Sequence, residues 1–131
     1  MSIPVRVAES CLEACRHVKE LRDVNTAVLE LDSGALVPET EANWTQDELL
    51  QNLPTDQARL IVHELSFATP NGARRHERLL IGWLPPDASA QELVYTAGYE
   101  ALKEALPDVS VHVIARNEGQ LAYPRLVALA N

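Results

Sequence analysis

The side chains that could do chemistry by type and spacing are a cysteine pair, two histidines inside apolar runs and a short cluster of arginines. Cys11 and Cys15 stand four apart with His17 close by, which begins a metal-ligand set. Two thiolates and one imidazole fall short of the four ligands that a structural zinc site takes. At about 100° per residue, Cys11, Cys15 and Val18 share a side with Val7, Ala8 and Ala14, whereas Glu9, Glu13, Arg16, His17 and Glu20 fall on the other. Unpaired cysteine is among the most buried residue types, so these thiols are expected in the core. His63 and His112 lie within β-prone runs, with no nucleophile or paired carboxylate fixed beside them by the sequence, and are read as structural. The stretch Arg74-Arg75-His76-Glu77-Arg78 is either a solvated loop or a basic contact surface. No CxxC, HExxH, GxGxxG, phosphate-loop or GxSxG pattern occurs. Neither an enzyme nor a bound cofactor or metal is expected.

Charge narrows the partners. Across 131 residues, 11 Lys and Arg face 19 Asp and Glu, a net charge of −8 at pH 7. Such a chain is repelled by nucleic-acid backbones and by anionic membranes unless a local basic patch overrides the total. Neither is expected as a stable partner. With 47% hydrophobic residues the chain is too apolar for disorder. Its length suits one domain, residues 1–131, able to bury about two thirds of its extended surface. No apolar run approaches the roughly 20 residues that span a bilayer. The opening MSIPVRVAES has no apolar stretch of the secretion-signal type, so a soluble, cytosolic domain is expected, and separately a monomer.

Around these residues the pattern predicts an amphipathic helix over 7–22, a strand over Asn25–Leu31 and a turn at Asp32-Ser33-Gly34 leading to a short strand, Ala35–Val37. Thr45 with Glu48 three later is a capping box that opens a short helix ending before Pro54. Arg59–Ala68 and Arg78–Leu84 read as the strands of a hairpin about Pro70-Asn71-Gly72, with the arginines at its tip. After Pro85-Pro86 a helix is predicted over Ser89–Leu106, then a strand over Val109–Ala115 and a terminal helix over Pro124–Ala130. Hairpins interleaved with helices imply an α/β (α+β) fold, a central mixed sheet of about five strands with helices on both faces.

The Ser89–Leu106 helix carries one anomaly. Its apolar face holds Val94, Tyr95, Ala97, Gly98, Ala101, Leu102, Ala105 and Leu106, and its polar face Glu92, Thr96, Glu100, Lys103 and Glu104. Leu93 falls on the polar face, between Glu100 and Glu104. It is either an ordinary exposed leucine or an anchor for a partner's cleft.

Residues 77–106, ERLLIGWLPPDASAQELVYTAGYEALKEAL, resemble the actin-depolymerising factor/cofilin family. Trp83-Leu84-Pro85 stands where that family has its Trp-x-Pro turn, and Leu93-Val94-Tyr95-Thr96 where it has a Met-(Ile/Met)-Tyr-(Ala/Thr) segment. The order and lengths of the other elements fit along nearly the whole chain. The resemblance implies a cytoplasmic, cytoskeletal protein that binds actin monomers and filament sides and promotes depolymerisation. On this reading Leu93 takes the place of the family's cleft-entering Met. Ser2, Ile3, Ala90, Glu92 and Thr96 complete the monomer site, and Arg74, Arg75, Arg78 and Arg125 form the filament site. Ser2 stands where many members are phosphorylated. The sequence also departs from the pattern: Ile3-Pro4 replaces a glycine, and Ala90 and Glu92 occupy positions where members carry basic residues. Glu92 is therefore expected to oppose an acidic actin surface. These losses leave open a protein like glia maturation factor, acting on the branch-nucleating complex of actin-related proteins, or a member that no longer binds actin.

Overall fold

In the computed structural model, which describes residues 4–21 and 23–130, turn chemistry sets the strand pairs. Strands β1 (Arg6–Val7), β2 (Thr26–Asp32) and β3 (Ala35–Ala42) surround helix α1 (Glu9–Glu20) in sequence. Ser33 and Gly34, with φ of 53° and 83°, form the two-residue turn between β2 and β3. Positive φ at both central residues matches the twist of paired strands. After helix α2 (Gln46–Asn52), strands β4 (Arg59–Ala68) and β5 (Arg74–Trp83) pair along their whole length. Helix α3 (Glu92–Ala105), strand β6 (Val111–Ala115) and helix α4 (Tyr123–Ala130) complete the order. The sheet runs β1-β3-β2-β4-β5-β6. β1 with β3 and β5 with β6 are parallel, and the other pairs are antiparallel.

Alternation along the strands divides the core into two layers. One face carries Leu60, Val62 and Leu80 against Cys11, Cys15 and Val18 of α1 and Tyr95, Tyr99 and Leu102 of α3. The other carries Ile61, Phe67, Leu79, Ile81 and Trp83 against Leu49 of α2 and Leu126 of α4. The mixed sheet with helices on both faces is as expected, with six strands rather than about five. Trp83 is buried, and its indole N–H donates to the Pro54 carbonyl at 2.7 Å, closing that end of the sheet.

The differences from the sequence reading have local causes. Val7 leaves the first helix because residues 6 and 7 pair with Ala35 and Leu36. β3 continues through Pro38 to Ala42 because the register shifts there, Val28 facing Thr40 and Leu29 facing Pro38. A bulge on a strand whose outer edge is open past Leu36 accommodates a residue without an N–H. The helix after Pro85 starts late: Pro86–Gln91 is a 3-10 turn with Ala88 outside helical geometry, and α3 proper begins at Glu92. Gln91 takes part in fixing this turn, its side-chain oxygen accepting the Ala58 N–H at 2.7 Å.

Candidate functional site

Helix α3 is held to the sheet by two tyrosines. The Tyr95 hydroxyl accepts the Leu31 N–H at 3.0 Å. Tyr99 packs on Gly82, where a methyl would stand 3.2 Å from the ring. Tyr99 does not belong to the apolar face that periodicity assigns. It is buried because Gly82 leaves room for its ring at the β5–β6 side of the sheet. With that face committed, Leu93 turns outward and is 73% exposed, the most exposed large apolar side chain among the described residues. Thr96 is half-buried beside it. Ala90 is exposed but lies in the 3-10 turn and not on the helix. Ser2 and Ile3 lie outside the described residues.

Glu92 is not the bare charge that the sequence suggests. Its carboxylate is paired with the Arg116 guanidinium, both side chains remaining partly exposed. Arg116 follows β6 directly, and its N–H donates to the Gln120 side-chain oxygen at 2.6 Å. The turn after it is capped by Asn117, whose side chain accepts the Gln120 N–H at 3.0 Å. Ile114, 40% exposed, precedes Arg116 by two and flanks Gly82 together with Tyr99. Sequence reasoning missed both Ile114 and Arg116. β6 reads as a buried strand, and only its parallel pairing with β5 brings its C-terminal end to the start of α3.

The arginines do not share the hairpin tip. Arg74 faces Ala68 next to the turn and is exposed. Arg75 points to the opposite sheet face, as alternation requires. Its guanidinium lies 5.6 Å from the centre of the Phe67 ring and 2.5 Å from Glu77. Arg78 faces Glu64 farther down the strand and donates to Asp108 at 2.9 Å, and Lys19 reaches the same carboxylate at 3.1 Å. Hydrogen bonds from Arg78 and Lys19 hold the Asp108 carboxyl down at about 2. Arg125 is exposed on α4, and the Tyr123 hydroxyl of that helix donates to the Ser66 carbonyl at 3.0 Å, joining α4 to the hairpin. Helices α3 and α4 lie on opposite faces of the sheet, and alternation puts Arg74 and Arg78 on the α1–α3 side and Arg75 on the α4 side.

The residues read as structural are placed accordingly. Cys11 and Cys15 are in the core, where the hydrogen bond that the Cys15 thiol donates to Cys11, together with burial, pushes Cys15 far up, out of reach of ionisation. His63 is buried with its Nδ1 2.8 Å from the Thr26 hydroxyl, and burial depresses it to about 4. His112 is half-buried. A polar groove of about 580 Å³ runs past Trp44, His63, Ser66 and Tyr123 and takes no residue from α3.

A model of the family described as cofilin/tropomyosin-type actin-binding protein matches residues 4–128. An actophorin of Entamoeba histolytica is 32% identical over 89 residues, 67% of this chain and 64% of the actophorin, so the chain spans just under two thirds of that relative's length. A cofilin of Kluyveromyces lactis is 25% identical over 124 residues, 91% of this chain and 87% of the cofilin. Among solved structures, a cofilin of Streptomyces griseoflavus superposes with a TM-score of 0.87 at 20% identity, covering 97% of this chain and 99% of that one. A human coactosin-like protein superposes with a TM-score of 0.82 at 14% identity, covering 95% of each chain. At these identities the structural likeness speaks for the fold.

Proposed function

Because the chain belongs to the cofilin/tropomyosin-type actin-binding family, we propose that it binds actin monomers and the sides of actin filaments and promotes filament depolymerisation without bond chemistry of its own. The observation that carries this reading is Leu93, an apolar side chain 73% exposed on the polar face of α3. A well-anchored helix with one protruding aliphatic group is the arrangement that a hydrophobic cleft recognises. Ala90, Glu92 and Thr96 flank it, and Ser2 and Ile3 contribute to monomer binding in the reading, with phosphorylation of Ser2 as its control. Arg74 and Arg125, exposed on hairpin and α4, serve the contact that exists only in filaments, with Arg75 and Arg78 as the residues behind it. The protein acts as a cytoplasmic, cytoskeletal monomer in this reading.

A second reading, action on the branch-nucleating complex of actin-related proteins, is favoured by the absence of cations at Ala90 and Glu92. Co-sedimentation with actin filaments, monomer binding and a debranching assay on the same preparation test both. Binding to monomers and filaments with faster depolymerisation is the expected result. Debranching without filament binding would transfer the function to the second reading, and inactivity in all three assays would leave the fold without an actin role.

A further inference from the structure

The start of α3 holds an ion pair assembled from distant parts of the chain. Glu92, where the family resemblance puts a basic residue, is bound through one oxygen by the Nη2 of Arg116. A guanidinium has five N–H donors in a rigid fork, so one contact to Glu92 leaves others unused. The Arg116 side chain is 49% exposed while it holds Glu92 at the start of α3. The backbone below it is fixed twice, by the Arg116 N–H on Gln120 and by the Asn117 cap of the following turn. Ile114, two residues earlier, adds exposed apolar surface beside Gly82 and Tyr99. Anchor and cation thus lie at the start of α3, with the apolar flank farther along the helix beside Tyr99.

We propose that Arg116 is a specificity-determining residue of the docking face: Glu92 holds its guanidinium at the start of α3, and the free N–H groups of that guanidinium engage carboxylates of the actin monomer. The inference rests on the actin-binding reading above and deepens it. Glu92 then positions the cation that the start of α3 lacks and does not repel the partner. A charge-assisted fork contact of this kind also explains how a chain of net charge −8 can approach an acidic surface at this point.

The test is monomer affinity of the wild type and of Arg116→Gln, Glu92→Gln and the double variant at low and at physiological salt, with thermal melts run alongside. Arg116→Gln is expected to weaken binding about tenfold at low salt, Glu92→Gln about twofold to threefold, and the double variant to stay as weak as Arg116→Gln, with every difference shrinking as salt rises. Arg116→Lys, which keeps the charge without the fork, should recover only part of the loss. Return of the double variant to wild-type affinity would mean that Arg116 only masks Glu92 and would overturn the proposal. Tighter binding by Glu92→Gln, or wild-type affinity of Arg116→Gln, would overturn it equally. A wild type that binds no actin would overturn the actin reading and this inference with it, which separates the two failures.

Discussion

Replacing Leu93 by alanine removes three carbon atoms from a side chain that does little for the folded monomer. Each buried methylene contributes about 0.8 kcal/mol, so three contribute about 2.4 kcal/mol when moved wholly from water into a cleft. Leu93 is already 27% covered, since 73% of it is exposed. Scaling by the fraction still to be buried gives about 1.8 kcal/mol, and one factor of ten in affinity is about 1.4 kcal/mol. Leu93→Ala should therefore weaken monomer binding about twentyfold. Its effect on folding should stay within about 0.5 kcal/mol, because exposed substitutions away from special features rarely exceed that and alanine is at least as good a helix former. Titration of fluorescently labelled actin monomer gives the first number and a urea melt the second. Unchanged affinity would refute the anchor argument outright. A loss of affinity matched by a large loss of stability would show that Leu93 packs within the protein and does not reach a partner.

The arginines should separate by their surroundings. Arg74→Ala and Arg125→Ala are expected to lower filament co-sedimentation and leave monomer binding intact, whereas Arg78→Ala should also lower the melting temperature, because Asp108 loses one of its two cationic partners. His63 gives a pH dependence of known sign. Its folded form stays neutral down to about 4 while the unfolded form takes up a proton near 6.5, so stability is unaffected above pH 6.5 and falls as pH drops from there towards 4. The loss should total about 3 kcal/mol, at about 1.4 kcal/mol per unit. Urea midpoints of wild type and His63→Gln between pH 7.5 and 4.5 check it, and equal slopes would refute the assignment to His63.

Much of this architecture is legible because local chemistry and packing agree. The Thr45 capping box forms as its spacing requires, with Thr45 Oγ accepting the Glu48 N–H and the Glu48 carboxylate accepting the Thr45 N–H. The helical spacing of Cys11, Cys15 and Val18 matches the stripe that α1 buries. The strand Arg59–Ala68 runs as its composition predicts. What escaped depends on partners remote in sequence. Two residues, Arg6 and Val7, have no periodicity to read, and they become a strand only because β3 offers an edge. The burial of Tyr99 is set by the missing side chain at Gly82, on a different element. The arginine run looks like a single patch in sequence, yet the pleat turns Arg75 away and the register carries Arg78 to Asp108.

The same remoteness governs the charge of the candidate site. A leucine among carboxylates is visible in the helical wheel because all its neighbours lie within about three turns. The partner of Glu92 is not, because nothing near Arg116 in sequence marks it. Its position follows from β6 lying parallel to β5, which delivers the strand's C-terminal end to the start of α3. Most other cations serve internal contacts: Arg59 pairs with Glu39 and Glu30, Lys19 and Arg78 with Asp108, Arg75 with Glu77 and Lys103 with Glu100. Among the described residues, Arg6, Arg16, Arg74 and Arg125 form no ion pair, and Arg116 is paired yet half open to solvent. A strongly acidic chain thus keeps exposed positive charge both at the start of α3, through Arg116, and on α4, through Arg125. Since α3 and α4 lie on opposite faces of the sheet, replacing Arg125 should lower filament affinity and leave monomer affinity unchanged, whereas replacing Leu93 should lower both.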